Sequence, residues 1–213
     1  METAVETPIA PPATGKSERR RQAILDVAKE LFQAQGYAAT SMSEIALRLG
    51  GSKGTLYNYF RSKEELFAAF MVDMCQAGSN RVFDTIETPT TGNVIETLVD
   101  LGVNFVTFLF LPDTMTIHRL VVAESGRFPE LGRIFYETGP KRGTENLTQF
   151  FSDLMDSGRL PRQDPAEAAR WYKELLLAGI YNLRLWGIIT DPTPAEIRTH
   201  VEKSVAVFLK VVG

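Results

Sequence analysis

The chain has 213 residues, 44% hydrophobic and 23% charged, with a formal net charge of −3 at pH 7. That length holds one large domain or a small domain joined to a mid-sized one, and the composition is that of a soluble globular protein. One cysteine, Cys75, excludes an intrachain disulfide. Two distant histidines, His118 and His200, leave no Cys/His cluster spaced for a metal, so a cytoplasmic protein without metal or cofactor is expected. The longest apolar stretch, Leu101 to Leu111, is broken by Gly102, Asn104 and Thr107. It falls short of the ~18 residues a membrane span needs, and no membrane partner is expected.

Residues 1–16, rich in Pro, Ala and Thr and without an apolar run, read as a disordered tail rather than a secretory signal. The segment Ala10 to Ser17 has the outline of a phosphate-binding loop, but Ala10 stands where the first glycine is required and no strand precedes it. From there on, apolar residues recur at spacings of three and four with no sustained alternation, which predicts an all-α protein. A first helix is expected from Ser17 to Gln35, with Ile24, Ala28, Leu31 and Phe32 on one stripe and Gly36 as its stop.

A capping box, Ser41 to Glu44, opens a short second helix that buries Met42, Ile45, Ala46 and Leu49 and ends at Gly50-Gly51. Ser52 then caps a third helix over Lys53 to Tyr59, so two short helices are joined by a glycine turn, the layout of a helix-turn-helix. A second capping box, Ser62 to Glu65, starts a fourth helix running towards Ile86 and stopped by the loop Thr88 to Gly92. Five further helical stretches are predicted near 93–111, 113–125, 129–158, 165–189 and 194–212, with a possible break in the third at Gly139-Pro140. The expected organisation is a tail (1–16), an N-terminal three-helix helix-turn-helix domain (17–63) and a C-terminal helical domain (64–213).

Residues 16–63 hold nine Lys or Arg against four acids, a local +5 that leaves −8 for the rest. A basic head on an acidic body suits phosphate binding, although a solvated basic face looks the same by charge alone. The third helix is more telling. Lys53, Gly54, Thr55, Tyr57, Asn58 and Tyr59 are small, polar or phenolic, and only Leu56 and Phe60 look inward. An ordinary surface helix prefers Glu, Lys and Ala, whereas a recognition helix in a major groove uses close backbone approach at Gly54 and hydrogen bonds from Lys53 or Thr55. Tyr57 and Tyr59 reach phosphates, and the helix starts near Ser41 and Ser52 offer unpaired N–H groups to them.

Gly36-Tyr37, Thr40-Ser41-Met42, Ile45-Ala46 and the run SKGTLYNYFRSKEELF from Ser52 to Phe67 resemble the DNA-binding signature of the TetR family. Arg119 to Gly143 resembles the C-terminal domain of its AefR-like branch. The resemblance implies that 17–63 is a DNA-binding domain and 64–213 a ligand-binding and dimerisation domain. It implies that Thr40 or Ser41 touches phosphate, that the Lys53 to Tyr59 positions face DNA, and that Lys63 binds the DNA backbone. Gly51 departs from the family pattern, which has an apolar residue there. The resemblance also implies a homodimer built on the last two long helices, with Trp171, Leu175, Leu183, Trp186, Val201, Val205, Phe208 and Leu209 as interface candidates. It implies an internal effector pocket, for which Cys75, Asn104, Phe105, Phe108, His118, Glu124 and Tyr181 are candidates. The function expected is a repressor released from a palindromic double-stranded DNA operator by a small apolar or amphipathic effector. The alternatives are a ligand-binding helical dimer without DNA binding and an enzyme using the cavity; no catalytic cluster supports the latter.

Overall fold

The computed structural model describes residues 15–83 and 93–212. The expected tail and the 88–92 loop therefore lie outside the described residues, apart from Gly15 and Lys16. The head is built from α1 (Gly15–Ala39), α2 (Met42–Arg48), α3 (Lys53–Tyr57) and the first half of α4 (Lys63–Phe83). The stripe Ile24, Ala28, Leu31 and Phe32 is buried, as are Met42, Ile45, Ala46, Leu56 and Phe60.

Gly36 breaks α1 with φ 82° and ψ 173°, which turns Tyr37 back into the core. Tyr37 lies 5.6 Å from both Phe32 and Phe67, and Phe128 closes the aromatic group from the body at 5.3 Å. The helix-turn-helix turn is a Schellman cap. Gly50 adopts φ 62°, its N–H donates to Leu47 O at 3.0 Å, and Gly51 N–H donates to Ala46 O at 3.2 Å. Ser41 Oγ and Ser52 Oγ cap α2 and α3 by accepting from Glu44 N and Thr55 N, both at 3.2 Å. The expected return arm of the first capping box is redirected: Glu44 Oε2 accepts from Gln35 Nε2 at 2.8 Å, tying α2 to α1.

The body comprises α5 (Val94–Phe110), α6 (Pro112–Glu124), α7 (Pro129–Thr138), α8 (Pro140–Asp156), α9 (Pro165–Leu177), α10 (Ile180–Leu185) and α11 (Pro194–Val212). Proline opens α6, α7, α8 and α9 at a position where its missing N–H costs nothing. The break expected at Gly139-Pro140 occurs. The single helix expected over 165–189 does not: α9 ends at Leu177, Gly179 takes φ 76°, and six residues of α10 leave in a new direction. The redirection brings Arg184 into the interior, where its Nη2 donates to Phe110 O at 3.2 Å and caps the end of α5. Arg119 in turn caps α10 by donating to Arg184 O and Leu185 O, both at 2.8 Å.

Two apolar cores result. One unites α5, α8, α9 and α11 around Leu98, Leu101, Phe151, Tyr172, Val201 and Phe208. The other is that of the head, but it also takes in Ile117, Leu120 and Val121 of α6 and Leu131 of α7. Helix α4 runs from one core to the other, with Leu66, Phe67 and Phe70 in the head and Val82 in the body. Packing therefore joins head to body through α6 and α7 as well as α4. Among the described residues no single helix is long and apolar enough to cross a membrane.

Candidate DNA interface, effector cavity and dimer face

On α3 the side chains divide cleanly. Lys53, Thr55, Tyr57 and Asn58 are exposed with the Gly54 backbone, Tyr59 is half-buried, and Leu56 anchors the helix from beneath. Because Ser52 Oγ both caps Thr55 N and lies 3.0 Å from Thr55 Oγ1, the Thr55 hydroxyl is oriented before any ligand arrives. Ser41 is exposed at the start of α2, available to phosphate through its hydroxyl and the helix N-terminus behind it.

Thr40 requires correction, and Lys63 has a second task. Thr40 is 1% exposed and its Oγ1 donates to Gly36 O at 2.8 Å, so it locks the end of α1 and cannot touch DNA. Lys63 Nζ donates to Tyr37 O at 2.8 Å and Thr40 O at 2.9 Å and stands 4.2 Å over the Tyr37 ring. Two of its three N–H groups thus satisfy orphan carbonyls at the end of α1, leaving one for a phosphate. Burial lowers the Lys63 pKa, while Glu64 and Glu124 oppose that shift. The neighbouring Tyr37 hydroxyl donates to Glu64 Oε1 at 3.1 Å and is pushed well above its ordinary pKa by burial, with Glu64 adding to the effect.

A cavity of about 480 Å³ lies between α4, α5, α7 and α8. Cys75, Phe105 and Phe108 of the expected pocket line it, and Thr138, Arg142 and Asn146 supply polar groups that sequence reasoning missed. The remaining candidates stand elsewhere. Asn104 is half-buried on α5 but outside the lining. His118 and Tyr181 form a pair of their own, Nδ1 to hydroxyl at 2.8 Å, with Phe135 edge-on to the imidazole at 5.1 Å; burial lowers the His118 pKa to about 4. Glu124 sits at the head-body junction, where its Oε1 accepts from Ala38 N at 3.3 Å. Inside the cavity, burial raises the Cys75 thiol, partly offset by a hydrogen bond with Thr138 and the charge of Arg142, which favours the neutral thiol at the wall.

A second cavity of about 300 Å³, against α1, shares Gly78 and Phe108 with the first. The Phe108 ring lies so close to Gly78 that a Cβ there would fall 2.2 Å from it.

The expected dimer face also divides. Val201, Val205 and Phe208 are 0–1% exposed within the protomer's own core and cannot meet a partner. Trp171, Leu183 and Trp186 are exposed, Leu175 and Leu209 half-buried, and Ile188, Val207 and Val211 add apolar surface on α11 and the segment after α10.

A family model described as "AefR-like transcriptional repressor, C-terminal domain" matches residues 96–211, more than half the chain, and one described as "Bacterial regulatory proteins, tetR family" matches residues 24–70. The chain belongs to the TetR family. Among curated relatives of this TetR-family regulator, AcrR of Shigella flexneri is 43% identical over 53 residues, 25% of each chain. QacR of Staphylococcus aureus is 54% identical over 44 residues, covering 21% of this chain and 23% of that one. Those matches thus span about a quarter of the relatives' length. Among solved structures, a Mesorhizobium loti protein assigned to the TetR-family regulators superposes with TM-score 0.81 at 28% identity, covering 94% of this chain and all of the other. The "Flavonoid-responsive Regulator FrrA" superposes with TM-score 0.78 at 34% identity, covering 91% and 97%. AcrR and QacR are HTH-type transcriptional regulators, and both superposed structures are regulators by description.

Proposed function

We propose that this TetR-family regulator is a cytoplasmic homodimeric repressor that occupies a palindromic operator and is released by a small apolar or amphipathic effector. The observation that carries this reading is that α4 belongs to both sites: its first turns supply Leu66, Phe67 and Phe70 to the head core that also buries Leu56 of α3, and its Cys75 and Gly78 form the cavity wall. An effector that prefers a form with α4 displaced shifts the population away from the DNA-competent one. Helix α6 adds a second link, since Asp113 pairs with Lys29 and Glu124 holds Ala38 N, both on α1.

The exposed apolar residues of α9 to α11 support a two-fold partner, which would set two α3 helices to half-sites a helical turn (~34 Å) or somewhat more apart. For the effector, Phe105 and Phe108 as walls and Thr138, Arg142 and Asn146 as polar anchors suit a planar aromatic molecule bearing oxygen groups. The flavonoid response stated for FrrA makes flavonoids the first class to try. Duplex selected from a random pool is bound by the protein and then titrated with a flavonoid panel, followed by anisotropy. Release by at least one compound, with matching thermal stabilisation, is expected; tight binding of flavonoids with no effect on DNA affinity would contradict effector release.

A further inference from the structure

We infer that the DNA interface extends past the helix-turn-helix onto the first turns of α1, where Arg20, seated over Gly51, acts with Arg19 and Lys16 on a backbone phosphate flanking the half-site. The inference rests on the DNA-binding reading and deepens it. An open groove of about 930 Å³ separates the start of α1 from α3, walled by Lys16, Ser17, Arg19, Arg20 and Ala23 on one side and Thr55 and Tyr59 on the other. Every charged side chain in that wall is basic. Glu18, the nearest acid in sequence, is turned to Arg21, at 3.7 Å. The groove is therefore a cationic extension of the surface that carries Thr55, and a phosphate chain is the occupant of opposite charge that already runs past α3.

Gly51 supplies the independent observation. The left-handed residue of the turn is Gly50, so the backbone does not demand glycine at 51. What a Cβ at 51 would meet is Arg20 Nη2, at 2.8 Å. The missing side chain, the one departure from the signature in this region, makes room for a guanidinium lying across the turn. Arg20 Nη2 reaches Leu49 O at 3.4 Å, a long bond that aligns the group while leaving most of its five donors open. Arg19 is held by Nε to Gly15 O at 3.0 Å, which likewise leaves its terminal nitrogens to solvent. A guanidinium fixed on one edge presents the other as a fork matched to phosphate oxygens.

The test measures binding of the full-length dimer to a random-sequence duplex and to a selected operator across a salt series from about 50 to about 200 mM. Arg20→Gln and Arg19→Gln should each weaken both duplexes by about tenfold and flatten the slope of log K against log salt by about 1 per protomer. Gly51→Ala keeps every charge yet should weaken binding in the same direction, because the new Cβ displaces the guanidinium. Lys141→Gln, on α8 and paired with Glu137, should leave both quantities unchanged. Wild-type affinity and slope in Arg20→Gln and Arg19→Gln would overturn the inference. So would a lowered melting temperature in Arg20→Gln with an unchanged salt slope, since Arg20 would then be a strut of the turn. A wild-type protein with no affinity for either duplex would overturn the DNA-binding reading itself.

Discussion

Replacing Lys63 with methionine keeps the aliphatic stem against Tyr37 and removes only the ammonium. Two charge-assisted hydrogen bonds, to Tyr37 O and Thr40 O, are lost together with the cation–π contact at 4.2 Å. Each such bond contributes on the order of 1.5–3 kcal/mol and the cation–π contact about 0.5–1. Water reaches part of the site, and the desolvation that lowers the Lys63 pKa is recovered when the charge goes, so the net loss comes to about 2 kcal/mol. For a chain of this size that lowers the melting temperature by roughly 4–8 °C. The check is a thermal and urea melt of Lys63→Met beside the wild type, with DNA affinity measured well below the melting range. Phosphate contact through the one remaining N–H predicts a shallower salt slope by about 1 per protomer as well. If Lys63→Met melted with the wild type while losing DNA affinity, Lys63 would be a phosphate ligand alone and its bonds to the end of α1 would be energetically idle.

Gly78→Ala should destabilise by about 1–3 kcal/mol in urea, since its Cβ would collide with the Phe108 ring, and adding Phe108→Ala should recover much of that loss. His118 has its folded pKa lowered to about 4 from an ordinary 6.5, so the unfolded chain binds more protons between those values. Stability should therefore be full above about pH 6.5 and fall by up to about 3 kcal/mol as pH drops to about 4. His118→Gln should flatten that part of a pH series of urea midpoints. Trp186→Lys combined with Ile188→Lys should raise the dimer dissociation constant at least ~30-fold in sedimentation, with helical circular dichroism retained. Val205→Lys should instead unfold the protomer, because that residue is 1% exposed in the core.

The head was legible because its signals are local: cap residues three apart, glycines that end helices, and a four-residue apolar stripe all act within one or two turns. The elements of the body were legible for the same reason wherever a proline or glycine sat at the break. The bend at Ala178-Gly179 was not, because apolar spacing continues across it and what stabilises it is Arg184 reaching Phe110 O, 74 residues away. Periodicity shows that a face is buried but not against what. That is why Val201, Val205 and Phe208 read as interface and prove to be core. The resemblance implied phosphate contacts for Thr40 and Lys63; only the fold shows that the Thr40 hydroxyl is committed to Gly36 O and that Lys63 also holds the carbonyls of Tyr37 and Thr40. The cavity was half legible. Phe105 and Phe108 share a helix face with their neighbours, whereas Thr138 and Arg142 come to the wall through the sharp α7–α8 corner.

The most direct measurement is the affinity of the wild-type protein for a palindromic duplex selected from a random pool, beside a shuffled duplex of equal length at about 150 mM salt. A preference of at least ~1,000-fold for the selected duplex, lost when Lys53 and Thr55 are replaced together by alanine, is the expected result. Equal affinity for both duplexes, or a preference indifferent to those two residues, would contradict sequence reading by α3.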